Sequence, residues 1–448
     1  MSKWFERAAF YHIYPLGLCG APAVNPMGES VHRFLELEKW LPHIEKLGCG
    51  GIYIGPLFQS GTHGYDTIDY KQVDGRLGDN EDFRRFVDKA HSLGLRVVVD
   101  GVFNHTGKGF FAFEDIRRNR EHSAYCSWYK GLNFQGSCHG ESFGYESWRN
   151  CGDLANLNLQ NQEVKDYLFE VIRFWIREFD IDGIRLDCAD CLDFDFMRQM
   201  RRLTAQEKED FWLMGEVIYG DYSRWANEEM LHSVTNYELH KGLYSGHNDH
   251  NYFEIAHTIR RQFDENGGIY RGRILYGFAD NHDVSRLVNK LKNKEHLKPV
   301  YGLLYTLPGI PSVYYGSEWG VEGAKEQGDA ALRPSLSLEE LQKKPPVPGL
   351  AEWIAFLGNC RKEYPVLAEG CYRELLLTNR QYAFARMNEY QAVITAVNND
   401  EGEAELWIRL PREGNLTDLE TRETIEPESG QLHMTVPAGG CRLIGVNV

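Results

Sequence analysis

The chain has 448 residues, 42% hydrophobic and 13% aromatic, enough for a large core and for more than one ordinary domain. Its 65 Asp and Glu outweigh 49 Lys and Arg, and the resulting formal charge of −16 repels phosphate backbones and argues against a nucleic-acid partner. No apolar run reaches transmembrane length, the longest candidate at 301–316 being broken by prolines and glycines, so no membrane partner is expected either.

At the amino terminus, Met1 to Arg7 carries no apolar segment behind its basic residues and does not read as a secretory signal, which makes a cytoplasmic location the expectation. Apolar, β-rich runs then recur at 10–16, 51–57, 95–103, 183–188, 211–217, 233–239, 273–278 and 310–315. Amphipathic helical patterns at 31–47, 82–93, 163–179 and 194–203 separate several of them. Eight strands alternating with helices specify an α/β fold, a closed parallel (β/α)8 TIM barrel, more readily than an open sheet. The connection after the third strand, from Thr106 to about Gln160, is too long for a simple loop and reads as an inserted domain overhanging the carboxyl-terminal face of the barrel. Near Pro365 the pattern changes to short alternating segments at 373–377, 382–386, 392–397, 404–408 and 441–446, the signature of a carboxyl-terminal all-β sandwich. The expected divisions are a barrel at 1–105 and 161–368, an inserted domain at 106–160 and a β-sandwich at 369–448. The ten cysteines form no disulfide framework, and free thiols are expected for all of them, including Cys188 and Cys191, which make a C-x-x-C after a barrel strand.

Four strands close in charged or polar residues: Asp100-Gly101-Val102-Phe103-Asn104-His105, Gly183-Ile184-Arg185-Leu186-Asp187, Gly215-Glu216-Val217 and Ala279-Asp280-Asn281-His282-Asp283. A buried strand ordinarily ends in Gly, Pro or a solvated turn. Acids, His and Arg at four strand ends gather charge where a parallel barrel keeps its chemistry. Arg185 and Asp187 stand two apart on one strand and share a face, so the cation keeps the carboxylate ionised and oriented, as a nucleophile requires. A structural ion pair is the competing reading. Glu216 follows an apolar strand, an environment that raises a carboxyl pKa and suits a proton donor. Carboxylates converging in this way meet the requirement for cleaving a glycosidic bond.

In this order the four segments resemble the α-amylase family, glycoside hydrolase family 13. The resemblance extends over nearly the whole chain, taking in Ile13-Tyr14-Pro15, His63-Gly64-Tyr65-Asp66-Thr67, Trp148 with 153–158, and Tyr314-Tyr315-Gly316. It implies that Asp187 is the nucleophile, Glu216 the acid and then the base, and Asp283 the carboxylate that holds and distorts the sugar at the cleaved bond. It further implies that His105, Arg185 and His282 hold the same sugar, that Tyr65 stacks beneath it, and that Asp66, Asp329 and Arg333 contact sugar on the non-reducing side. For Asp66 a structural hydrogen-bonding role is an equal reading, and Asp100 supports the site. The implied reaction is retaining hydrolysis of α-1,4 bonds in maltooligosaccharides, maltodextrins or cyclodextrins, with an α-glucan oligosaccharide as partner and no cofactor. An α-glucosidase or a 4-α-glucanotransferase would carry the same residues, and a non-catalytic sugar-binding scaffold would have lost some of them.

The chain departs from the family at identifiable positions. Calcium-dependent relatives use the equivalents of Asn104, a residue near Asp153 and a His where this chain has Cys191; a thiol does not suit a hard, oxygen-seeking cation, so no metal site is expected. Asp190, Ile218 and Ser317 replace a frequent Lys, Trp and acid. The nearest branch, that of neopullulanase, cyclomaltodextrinase and maltogenic amylase, carries an extra amino-terminal β-domain, whereas the barrel pattern here begins near residue 10.

Overall fold

The computed structural model of the chain describes residues 3–447; Met1, Ser2 and Val448, which end the expected divisions and begin the amino-terminal reading, lie outside the described residues. Eight parallel strands form one sheet: β1 Phe10–Ile13, β2 Gly51–Ile54, β3 Arg96–Gly101, β4 Gly183–Leu186, β5 Trp212–Gly215, β6 Ser233–Val234, β7 Tyr276–Phe278 and β8 Ile310–Tyr314. Neighbours follow chain order and β8 returns to β1 through Phe10↔Ser312. A parallel bridge from Thr235 to Tyr276, with Asn236 N–H donating to the Tyr276 carbonyl at 2.8 Å, joins β6 to β7. This is the expected TIM barrel.

Its strands are buried on both faces, which is why they read as continuous apolar runs. In Val97-Val98-Val99 the middle side chain points inward to Phe10, Tyr53, Trp212, Met214 and Tyr276, and the outer two pack toward the helices. Phe5, from the helix Trp4–Arg7, stacks on Trp212 and belongs to the same inner cluster. The helix Gln162–Phe179 shows how the outer layer is specified. Asn161 caps it by accepting from Glu163 N–H, and Val164, Leu168, Val171, Ile172, Trp175 and Phe179 make one buried stripe. Burial of each large apolar side chain in that stripe contributes about 1.5–3 kcal/mol.

Three expectations change in detail. The helix expected over 31–47 is two, Phe34–Glu38 and Leu41–Lys46, because Pro42 has no N–H to carry the hydrogen-bond ladder across. The run at 10–16 is a strand only to Ile13, and Pro15 opens the helix Pro15–Leu18. The strand expected at 233–239 stops at Val234, since the Asn236 side chain accepts from Leu239 N–H and starts the helix Tyr237–Asn248.

Between β3 and the helix Gln162–Phe179 lies a segment with one α-helix, Phe111–Asn119, three short 3-10 turns, and the short pairing of His105–Thr106 with Ala155–Asn156. Phe113, Tyr129, Phe143 and Tyr145 form its apolar centre. The carboxyl-terminal unit contains β9 Cys371–Leu377, β10 Gln381–Met387, β11 Gln391–Asn398, β12 Ala404–Arg409, β13 Asn415–Asp418, β14 Thr424–Ile425, β15 Gln431–Val436 and β16 Cys441–Asn447. Six strands in the order β9-β10-β11-β16-β13-β14 face the pair β12-β15 across a core of Ala383, Ala385, Ile394, Leu406, Ile408 and Met434. The other face of the large sheet, through Tyr382, Phe384, Val393 and Leu443, packs on the barrel. Buried Arg386 ties that seam by donating to the carbonyls of Thr306, Leu367, Ala368 and Gly370. All ten cysteines are free, and among the described residues no helix is long and apolar enough to cross a membrane.

Candidate active site

Strand register brings the charged residues together. Asp100 pairs with Arg185 across β3 and β4, and Leu186 pairs with Gly215 across β4 and β5. Asp187 and Glu216 are each one residue beyond that second pair, on strands separated by about 4.8 Å. Their backbone N–H groups continue the ladder, Asp187 to the Gly101 carbonyl at 3.2 Å and Glu216 to the Leu186 carbonyl at 2.9 Å. Only Gly fits before Glu216, because a Cβ at Gly215 would lie 2.5 Å from Leu231 Cδ1 and 2.8 Å from Ala189 Cβ. Val217 is fixed in turn by Thr235, whose Oγ1 accepts from Val217 N–H at 2.9 Å.

Arg185 is the hub. Its Nη1 reaches Asp100 Oδ1 at 2.8 Å and Asp187 Oδ1 at 2.9 Å, and its Nη2 lies 2.9 Å from Glu216 Oε2. Tyr53 donates to Asp100 at 2.8 Å, so Asp100 anchors the guanidinium from below. Cys188 adds two further contacts, N–H to Glu216 Oε2 at 3.1 Å and S–H to Asp187 Oδ2 at 3.4 Å.

The three carboxylates diverge electrostatically. Burial pushes Asp187 up to about 7 against the pull of Arg185, with Glu216 and Asp283 adding repulsion. Glu216 is raised first by burial and then by Asp283, again against Arg185. Burial also opposes the charge on Asp283, yet His282 at 3.1 Å and Arg333 at 2.9 Å hold it well below the usual carboxylate range. Burial thus outweighs Arg185 at Asp187, against the expectation that the cation keeps it ionised; Asp187 and Glu216 are both raised while Asp283 is held down.

A cleft of about 690 Å³ opens over these groups, lined by Tyr65, His105, Asp187, Glu216, Asp283, Asp329 and Arg333 among the residues anticipated from sequence. Arg185 and His282 line a small adjoining hollow that shares Glu216 and Tyr237 with the cleft. Tyr65 lies parallel to the His282 ring and hydrogen-bonds its Nε2. Burial drops His105 to about 3, leaving a neutral ring whose Nε2 has no partner. Arg333 lies between Asp283 and Asp329, 3.4 Å from the latter. Asp66 is the exception: it lies outside the cleft lining, where its carboxylate accepts from Thr62 Oγ1 at 3.0 Å.

Sequence reasoning left out Tyr237, whose hydroxyl lies 3.5 Å from Glu216 Oε1 and accepts from Asn281 Nδ2 at 3.3 Å. Its position just beyond β6 is the signal that would have found it. His63, Trp148, Arg149, Tyr219 and Lys325 also line the cleft, as does Ile218. Ser317 is instead buried, donating to Asp280 at 2.8 Å and accepting from Arg286 at 3.0 Å.

The residues around the cleft do not suit a metal. At the position used for calcium in relatives, Asn104 donates to Asn156, Asp153 is largely exposed beside Lys108, and a thiol stands at Cys191. His105, Asp187 and Cys188 offer atoms within 4.8 Å of one another, but the hydrogen bond with Cys191, burial and nearby acids raise the Cys188 thiol well above its ordinary value, and Asp187 already has Arg185 as its cation.

The family profile described as the catalytic domain of alpha-amylase matches residues 37–346. Neopullulanase 2 of Thermoactinomyces vulgaris is 30% identical over 97% of this chain and 77% of its own. An intracellular maltogenic amylase of Bacillus subtilis is 29% identical over 94% of this chain and 74% of its own. The solved structure of a cyclomaltodextrinase superimposes with a TM-score of 0.88 at 26% identity, covering 99% of this chain and 78% of that one. The chain belongs to the α-amylase family.

Proposed function

We propose that the protein hydrolyses α-1,4 bonds of maltooligosaccharides, maltodextrins or cyclodextrins with retention of anomeric configuration. The coarser activity, that of an amylase-family hydrolase acting on α-glucans, follows from family membership. The observation that carries the finer reading is the sharing of one guanidinium by Asp187 and Glu216, at 2.9 Å each, on adjacent strand ends. A short separation suits direct attack by one carboxylate while the other donates a proton.

In this reading Asp187 attacks the anomeric carbon as the pair's proton, delivered from Glu216, protonates the departing glycosidic oxygen. Glu216 then takes a proton from water, whose oxygen displaces Asp187 from the same carbon. Two inversions give retention. Asp283, kept anionic by His282 and Arg333, accepts hydrogen bonds from sugar hydroxyls and favours positive charge developing on the ring. The unpartnered Nε2 of His105 is available to a sugar hydroxyl, and Tyr65 offers an aromatic face. Lys325, Asp329 and Arg333 supply polar contacts at one end of the cleft, Trp148 and Tyr219 apolar surface elsewhere along it.

Incubation with maltotriose, maltoheptaose, cyclodextrin and pullulan, with products separated over time, tests the reading. Shortened α-1,4 products from at least one substrate, absent with Asp187→Asn, are expected. Products longer than the starting sugar as the main outcome would replace hydrolysis by glucanotransfer, and no turnover of any of them would remove the substrate assignment.

A further inference from the structure

We infer that Cys188 and Cys191 form a thiol pair that a hydroperoxide oxidises reversibly to a disulfide, lowering turnover at the adjacent carboxylates. The effect on turnover rests on the proposed function; the oxidation chemistry does not. Three features of the geometry carry it. The pair spans one tight turn, Cys191 N–H donating to the Cys188 carbonyl at 2.8 Å, with Ala189–Cys191 in a single 3-10 turn. A four-residue turn of this kind brings its end Cα atoms within about 7 Å, close to the roughly 4.4–6.8 Å that a disulfide spans. The two thiols also differ in access, since Cys191 is exposed and Cys188 is buried against Asp187. Finally, Cys188 contacts both members of the proposed catalytic pair, S–H to Asp187 and N–H to Glu216.

The thiol chemistry has a direction. The hydrogen bond with Cys188 lowers the Cys191 pKa, with partial burial and Asp190 opposing, whereas Cys188 is raised by the same bond and by its burial. Cys191 is therefore the attacking thiolate and Cys188 the resolving thiol. The Cys191 sulfur attacks one peroxide oxygen, the O–O bond breaks, and the hydroxide that leaves takes up the proton released when Cys191 ionised. The Cys188 sulfur then attacks the sulfenic sulfur, the S–O bond breaks, and a second water leaves with the Cys188 proton. Two thiols lose two electrons and one hydroperoxide accepts them. The product has no S–H to donate to Asp187 Oδ2, and the turn that presents its N–H to Glu216 is cross-linked.

The test uses the full chain, exposed to hydrogen peroxide, alkylated at free thiols and digested with trypsin, alongside kinetics on maltotriose. The expected result is a peptide 186–198 with neither cysteine alkylated and two hydrogens lighter. A thiol is a weak donor, so loss of its one hydrogen bond to Asp187 is worth less than loss of an N–H bond to a carboxylate and predicts a fall in kcat/KM of about two- to tenfold, reversed by dithiothreitol. Cys191→Ser should keep its activity through the same treatment. Full alkylation of both cysteines after peroxide would overturn the thiol pair. Linkage without loss of activity would overturn its effect on turnover, and an equal loss in Cys191→Ser would move that effect to Cys151, exposed at the cleft. The peptide mapping needs no turnover, so a reduced protein inactive on every glucan counts against the hydrolase reading alone.

Discussion

Replacing Arg185 with Lys keeps the charge and removes the fork. The native guanidinium reaches Asp100 and Asp187 through Nη1 and Glu216 through Nη2. An ammonium is a single point of donation on a flexible stem and cannot reproduce that spread. We expect it to stay with buried Asp100 and to release Glu216. A hydrogen bond to a charged group is worth about 1.5–3 kcal/mol, so losing that one contact in the transition state lowers kcat/KM by roughly 10- to 150-fold. Stability should change little, because one positive charge still faces the three acids. Arg185→Ala is different: it leaves those acids without their nearest cation and should cost about 3–5 kcal/mol of folding stability. Steady-state kinetics on maltotriose and urea unfolding of both variants separate the two effects. A folded Arg185→Lys protein within about threefold of wild-type kcat/KM would refute the reasoning that the fork positions the carboxylate pair.

Asp187→Asn and Glu216→Gln should each lose about 10⁴-fold or more in kcat while unfolding at the wild-type urea concentration, since both groups sit at strand ends rather than in the core; near-normal turnover in either variant would remove its role. Asp182, 1% exposed, is held down to about 2: burial opposes its charge, but His91, Lys208 and the Val97 N–H outweigh that cost. Its folded pKa is depressed, so its contribution of about 2 kcal/mol is present above pH 4 and lost as pH falls toward 2. Urea melts of Asp182→Asn should therefore converge with wild type in acid, and a gap that widens there would contradict the assignment. Chelation with EDTA should leave the melting temperature and activity unchanged, because the donors around Asn104 and Cys191 do not suit calcium; a sharp fall reversed by added calcium would show oxygen ligands of another origin.

Much of the site could be read from the sequence because a parallel barrel confines its chemistry to strand ends, and motif and strand coincide at Asp187, Glu216 and Asp283. The eight strands were legible for a related reason: burial on both faces leaves continuous apolar runs such as Val97-Val98-Val99. Boundaries set by single residues were not. Pro42 splits a pattern whose amphipathic period continues across it, and the cap at Asn236 turns a β-rich run into helix after Val234. In the carboxyl-terminal unit β13 and β14 are too short to show an alternation, whereas Gln431–Val436 of β15 alternates polar and buried apolar residues and was legible, though not among the expected segments. Tyr237 stands just beyond the β6 strand end, but its approach to Glu216 depends on the register of β5 and β6, which spacing along the chain does not announce. At Asp66 the two sequence readings stay side by side: one carboxylate oxygen accepts from Thr62 and the other lies 3.7 Å from the His63 ring at the cleft.

The most direct test of double displacement at Asp187 and Glu216 is the anomeric form of the first product. Proton NMR during early hydrolysis of maltoheptaose, at enzyme concentrations that outrun mutarotation, should show the α-anomer at the new reducing end, relaxing later toward the equilibrium mixture. Initial appearance of the β-anomer would mean one inversion instead of two, and would contradict nucleophilic attack by Asp187.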